Sequence, residues 1–175
     1  DEAYGPGDPK PHDGRLVAAA RFGLEPEQFA LVVPGGGGAH PGAKQGPRTM
    51  AAAALRLARS GHPTLLVGPH GEIAANESSL RYSPHLPIRD LAALMARARV
   101  VVANGGDTLL QALSFQRHCV AAPLAQDQVG RIRHCTDAGI AVSPASAARS
   151  SWSRNSGWPC ARRMHPSTVS AGSRP

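Results

Sequence analysis

The chain has 175 residues and a formal net charge of +7, from 19 lysines and arginines against 12 aspartates and glutamates. This length suits one globular domain, and no apolar run approaches the roughly 18 to 20 residues of a membrane-spanning helix. The charge does not indicate a nucleic-acid surface, because all 12 acidic residues lie at or before Asp137 whereas the arginine excess follows residue 142.

Cysteine and histidine usage predicts neither a disulfide framework nor a metal site. The 3 cysteines, Cys119, Cys135 and Cys160, are few and irregularly spaced, which favours a reducing, cytoplasmic location. The 8 histidines form no ligand spacing with them. We therefore expect no bound metal.

The first half of the chain alternates turn residues with short apolar runs. Residues 1–13 are rich in glycine, proline and aspartate and are interpreted as a linker or domain junction. A short helix is predicted over residues 15–23 and a buried strand over 29–33, which leads directly into the loop Gly35–Gly38. An alanine-rich helix is predicted over residues 48–59.

The second half continues the alternation of strands and helices. Strands are predicted at residues 64–67, 80–82, 100–103 and 120–121, and helices at 88–97, from about 108, and at 128–138. Apolar strands that alternate with helices predict a parallel sheet with helices on both faces, a Rossmann-like α/β domain over residues 14–142. Residues 143–175 are rich in serine, arginine and proline and are predicted to be a disordered tail.

The segment after the strand at 100–103 is the strongest candidate site. Two glycines, Gly105 and Gly106, and the hydroxyl residue Thr108 stand between this strand and the next helix. Glycine allows close approach to the backbone, and a helix N-terminus carries about half a positive charge. This arrangement predicts a phosphate-binding turn. The alternative is a structural turn in which Asp107 or Thr108 caps the helix.

The loop that begins at Gly35–Gly38 has part of the spacing of the phosphate-binding P-loop. From Gly37 the spacing to Gly42 fits, but Lys44 comes one place late and Gln45 stands where a serine or threonine is required. The pattern argues against a P-loop nucleotide hydrolase.

Residues 104–131, NGGDTLLQALSFQRHCVAAPLAQDQVGR, resemble the nucleotide-sugar-binding half of GT-B glycosyltransferases. The resemblance is greatest to bacterial enzymes that add N-acetylglucosamine to lipid-linked peptidoglycan precursors, and it extends over residues 14–142. It implies the fold of the C-terminal half of such an enzyme, with ligands at the carboxyl ends of the strands.

The resemblance also implies roles for individual residues. The donor diphosphate is expected at both glycine loops, on Gly36, Gly37, Gly105, Gly106 and Thr108. Gln111 replaces a glutamate that usually binds the ribose, and the alternative is a residue on the helix surface. Asp127 and Gln128 are expected at the donor sugar, and the alternative for Asp127 is the N-cap of its helix. Arg131 either faces the diphosphate or only solvent, and Leu86 lies where relatives contact the nucleobase.

The implied activity is transfer of a sugar, of hexosyltransferase type, from a nucleoside diphosphate to an acceptor hydroxyl. A UDP-sugar is favoured as the donor, and no metal or other cofactor is expected. The catalytic groups belong to an N-terminal acceptor-binding half that this sequence lacks, so the chain is expected to be inactive unless a partner domain or subunit supplies that half. The alternatives are a GT-B-like nucleotide-sugar epimerase and a non-catalytic nucleotide-binding module.

Overall fold

The computed structural model describes residues 18–35, 45–68 and 77–144. Five strands lie in these residues: β1 (Ala30–Val33), β2 (Thr64–Val67), β3 (Leu80–Ser83), β4 (Val100–Ala103) and β5 (His118–Ala121). A helical segment covers residues 18–20, and four longer helices follow: α1 (Gln45–Arg59), α2 (Ile88–Arg97), α3 (Asp107–Ser114) and α4 (Gln126–Asp137).

The strands form one parallel sheet in the order β3-β2-β1-β4-β5. At the centre of the sheet, Ala30 of β1 is in register with Thr64 of β2 on one side and Val100 of β4 on the other. Beyond β5, Val142 makes a further parallel bridge with Val120. Each strand is only four residues long, so the sheet depends on helices that cover its faces.

Alternate residues of the strands pack against different helices. Leu31 and Val33 of β1 belong to the cluster that includes the buried residues of α2, α3 and α4. Val32, between them, belongs to a second cluster with α1, whose buried residues are Met50, Ala51, Ala54 and Ala58. Because successive side chains of a strand point to opposite faces, the sheet is covered on both sides. The predicted Rossmann-like α/β class is confirmed.

Several helix and strand boundaries differ from those predicted. The helix α1 begins at Gln45 rather than residue 48, because Pro47 is tolerated in a first turn whose N–H groups have no intrahelical partner. The strand β5 begins at His118, two residues earlier than predicted. The strand predicted at 64–67 and the helix at 88–97 have the predicted bounds. The predicted linker 1–13 and nearly all of the predicted tail lie outside the described residues.

The strand order creates a crevice at the carboxyl end of the sheet. From β1 the chain crosses to β2 on one side, and from β4 it crosses to β5 on the other, although β1 and β4 are neighbours. The loops after these two strands therefore leave in opposite directions. Open α/β sheets bind ligands in the crevice between two such loops. The glycine turn at Gly105–Gly106 follows β4 at this point.

The buried thiol of Cys119 provides a pH-dependent test of the packing of β5. Burial raises the pKa of this thiol from 9.0 to about 12, and the nearby Cys135 adds to the rise. The folded state therefore holds the thiol proton more tightly than the unfolded state does. This difference contributes fully to the stability of the fold below pH 9, and the contribution is lost as the pH rises from about 9 to about 12.

We expect the free energy of unfolding to fall with pH above 9 by at most about 1.4 kcal/mol per pH unit from this group. Urea titrations at pH 8 and pH 10 should therefore show a larger loss for the unmodified chain than for Cys119→Ala, which has no thiol to titrate. Equal losses for the two proteins would show that the thiol is not shielded from solvent.

Candidate functional site

The helix α3 begins immediately after the glycine turn. Its first residue is Asp107, and its N-cap is Gly106, whose backbone is extended (φ −86, ψ −157) and which provides no side-chain cap. The helix thus starts one residue earlier than predicted, and neither Asp107 nor Thr108 is the cap. The first turn lies at the carboxyl end of the sheet, beside the crevice between β1 and β4.

The two glycine amides expected to face an anion are both bonded within the protein. The N–H of Gly106 donates to Asn104 Oδ1 at 2.8 Å, and the N–H of Gly105 donates to Gln128 Oε1 at 3.2 Å. Within the part of the chain that the structure describes, the N–H groups of Asp107 and Thr108 and the Thr108 hydroxyl have no partner. The donors available to a ligand therefore belong to the first turn of α3.

Both glycines are required by close packing. A Cβ on Gly105 would lie 2.7 Å from Gln128 Cβ and 2.8 Å from Ile132 Cδ1, both on α4. A Cβ on Gly106 would lie 2.9 Å from Asn104 Oδ1. Real Cβ atoms do not approach other atoms so closely. The absence of side chains at the turn brings α4 and the Asn104 side chain against it.

Asn104 joins the two loops at the crevice, a role that the sequence analysis missed. Its Oδ1 closes the turn on Gly106, while its Nδ2 donates to the carbonyl oxygen of Pro34 at 2.9 Å. Gly35 has φ +87, and a Cβ there would collide with Asn104 Nδ2. An asparagine directly before a glycine pair is a common turn former, and that pattern was the available signal. Its partner at Pro34 is 70 positions away in sequence.

Two residues of α4 form hydrogen bonds with the backbone of Gly105. Gln128 Oε1 accepts hydrogen bonds from the N–H groups of Gly105 and Leu124, at 3.2 Å and 2.9 Å. Arg131 Nη1 donates to the carbonyl oxygen of Gly105 at 2.7 Å. Arg131 is therefore held against the glycine turn, and its predicted contact with the diphosphate stays a prediction.

The remaining residues predicted to bind the ribose, the sugar or the nucleobase lie in other parts of the structure. Asp127 is exposed in the first turn of α4, whose N-cap is Ala125 without a side-chain hydrogen bond, so Asp127 is not the cap. Gln111 is half-buried in the second turn of α3. Leu86 is partly buried and packs against the core cluster, and its predicted contact with a nucleobase stays a prediction. Gly36 and Gly37 lie outside the described residues, and their predicted role stays a prediction.

The charges around the turn are few and of both signs. Arg131 brings a half-buried guanidinium to Gly105, and Asp107 places an exposed carboxylate in the first turn of α3. Among residues 18–35, 45–68 and 77–144, no group of three or more histidine, cysteine, aspartate or glutamate side chains is placed to hold a metal ion. None of the helices in these ranges has the length and apolar character to cross a bilayer.

No model of a known protein family matches the sequence, and no curated protein matches it. Solved structures do match the fold. The glycosyltransferase SsfS6 of Streptomyces sp. SF2575 aligns over 83% of this chain with 18% identity and a TM-score of 0.52. The spinosyn forosaminyltransferase SpnP aligns over 80% with 16% identity and a TM-score of 0.54.

A second structure of SsfS6, complexed with thymidine diphosphate, aligns over 73% of this chain with 22% identity and a TM-score of 0.50. The alignments cover 34% and 33% of the chain in the two SsfS6 structures and 34% of the SpnP chain, so this chain spans about a third of their length. The described residues have the Rossmann-like fold of one part of GT-B glycosyltransferases. The narrower resemblance to peptidoglycan-precursor enzymes remains a prediction.

Proposed function

We propose that this chain is the donor-binding part of a glycosyltransferase and binds the diphosphate of a nucleoside diphosphate sugar at the N-terminus of α3. The observation that carries the proposal is the first turn of this helix. It lies at the switch point of the sheet, and the N–H groups of Asp107 and Thr108 have no partner within the described residues. The fold that the chain shares with known glycosyltransferases supports the same function.

The chemistry of the turn suits a diphosphate. The unpaired N–H groups and the helix dipole favour an anion by about 0.3–1 kcal/mol when exposed and up to about 2 kcal/mol when partly buried. The Thr108 hydroxyl adds a donor beside them. In glycosyl transfer, negative charge develops on the departing diphosphate, so donors that are fixed in advance stabilise the transition state. Arg131, held on Gly105, adds a positive charge next to this position.

The remaining contacts are proposed from the family resemblance and the positions of the residues. Gln111 lies one turn beyond Thr108 on α3, where its amide would meet the ribose. Asp127 is exposed at the start of α4, where its carboxylate would accept hydrogen bonds from donor sugar hydroxyls. The base is proposed to be uracil from the resemblance, whereas the SsfS6 complex contains thymidine diphosphate. Both nucleotides therefore belong in the first titration.

Transfer itself is proposed to need a further part of the enzyme. The chain matches about a third of each of these glycosyltransferases, and the family resemblance implies that the catalytic groups belong to an acceptor-binding half. We expect nucleotide binding by this chain alone and transfer only with an acceptor-binding half. Binding without transfer, even when that half is supplied, would favour the non-catalytic nucleotide-binding module.

Isothermal titration with UDP, TDP, GDP and UDP-N-acetylglucosamine, with and without magnesium, tests the proposal. We expect one nucleotide to bind without metal. Thr108→Val should weaken that binding about tenfold, because a hydrogen bond to a charged group contributes about 1.5–3 kcal/mol. Asp107→Asn should strengthen it a few fold, since it removes a like charge from the phosphate site.

Thr136→Val is the matched control, because the Thr136 hydroxyl donates within α4, to Arg133 O at 2.9 Å. Circular dichroism would verify that each variant is folded. A folded, unmodified chain that binds none of the nucleotides would rule out the proposed function. Equal affinities for Thr108→Val and Thr136→Val would place the nucleotide elsewhere on the chain.

A further inference from the structure

The carboxamide oxygen of Gln128 has two backbone partners. It accepts from Gly105 N at 3.2 Å and from Leu124 N at 2.9 Å. A carboxamide oxygen has two lone pairs, and both are used here. This oxygen is therefore not available to a sugar hydroxyl, although Asp-Gln pairs in the resembling family are expected at the donor sugar.

The two hydrogen bonds join the loop after β4 to the loop after β5. Direct packing reinforces this connection. A Cβ built on Gly105 would lie only 2.7 Å from the Cβ of Gln128. Three residues further along α4, Arg131 donates to the carbonyl oxygen of the same Gly105 at 2.7 Å. One face of α4 thus fixes both polar groups of a single residue.

Gly105 is two residues before the start of α3. With Asn104 and Gly106 it connects β4 to the first turn of α3, so its position helps to orient the N–H groups of Asp107 and Thr108. A residue that holds Gly105 therefore controls the geometry of the proposed phosphate site.

We infer that Gln128 is a positioning residue for the donor diphosphate, and that its carboxamide oxygen acts with Arg131 by fixing Gly105. The inference rests on the proposed function. It differs from a sugar-binding role in one measurable respect. A residue that positions the phosphate site affects a nucleoside diphosphate and its sugar conjugate equally, whereas a sugar ligand affects only the conjugate.

The test is Gln128→Met, which keeps the length of the side chain and removes the carboxamide oxygen. Titration with UDP or TDP, whichever binds, and with the corresponding nucleotide sugar should show both affinities reduced by the same factor, about tenfold. Gln126→Met is the matched control, because Gln126 is exposed at the start of the same helix. A loss confined to the nucleotide sugar would overturn the inference and restore the sugar-binding role.

A second measurement needs no ligand. Hydrogen exchange followed by NMR should show slow exchange at the amides of Gly105 and Leu124 in the unmodified chain and faster exchange in Gln128→Met. Gln128→Glu should restore slow exchange, because a carboxylate oxygen accepts the same two bonds. Unchanged exchange in Gln128→Met would overturn the inference while leaving the proposed function intact. Failure of the folded, unmodified chain to bind any nucleotide would overturn both.

Discussion

Replacement of Gly105 by alanine should lower the free energy of unfolding by about 1–3 kcal/mol, the usual range for overpacking a well-packed interior. The new Cβ would lie 2.7 Å from Gln128 Cβ and 2.8 Å from Ile132 Cδ1. The Gln128 atom is attached directly to the backbone of α4, so it cannot rotate away. The helix itself has to move, and the hydrogen bonds of Gln128 and Arg131 to Gly105 are disturbed with it.

Gly130→Ala is the matched control for this prediction. Gly130 lies within the same helix, and nothing stands within 4 Å of a Cβ at this position. Alanine should stabilise the helix by about 0.5–1 kcal/mol, because glycine loses more conformational entropy on folding. Urea denaturation of both variants gives the comparison. Equal stabilities for Gly105→Ala and the unmodified chain would show that α4 does not pack against the turn.

Replacement of Asn104 by alanine should have the second large effect. It removes the donor to Pro34 O and the acceptor of the Gly106 N–H. Pro34 is fully buried, and a buried polar group left without its partner costs about 1–3 kcal/mol. We expect a loss of stability in that range, measured by urea denaturation, and weaker nucleotide binding because the loops after β1 and β4 are no longer joined.

A double-mutant cycle separates this role from a general loss of packing. The three nearest heavy atoms to a Cβ on Gly106 all belong to Asn104, and the φ of −86 at Gly106 suits alanine. Gly106→Ala should therefore destabilise the unmodified chain but have little effect in the Asn104→Ala background. Additive losses in the cycle would contradict the contact between Asn104 and the turn.

The candidate site shows how far sequence reasoning extends. The glycine pair and Thr108 are a local pattern, contained within four residues, and the structure places them at the crevice beside the first turn of α3. The partners of the two glycine amides are less local. Gln128 is 23 positions from Gly105, and nothing in the intervening sequence specifies that its oxygen accepts from that amide. The sequence therefore indicated Gln128 as a site residue but not its contact with the Gly105 amide.

The start of α4 illustrates a different limit. An aspartate that follows a short loop is a frequent cap, and Asp127 fitted that pattern. In the structure the helix begins at Gln126, after an extended Ala125 (φ −142, ψ 156). Gln128 and Arg131 lie about one turn apart within this helix, and both form hydrogen bonds with Gly105. The position of the helix follows from packing of Ile132 and Cys135 into the core, not from a local capping signal.

By itself, the sequence determined the class of fold, the order of strands and helices, and the location of the phosphate-binding candidate, because these depend on hydrophobic periodicity and on glycine, which act over a few residues. Only the tertiary structure decided which backbone amides are paired within the protein. The side-chain oxygens of Gln128 and Asn104 accept hydrogen bonds from the N–H groups of Gly105 and Gly106, whereas those of Asp107 and Thr108 have no partner within the described residues. That choice depends on side chains brought together by the crossover connections of the sheet.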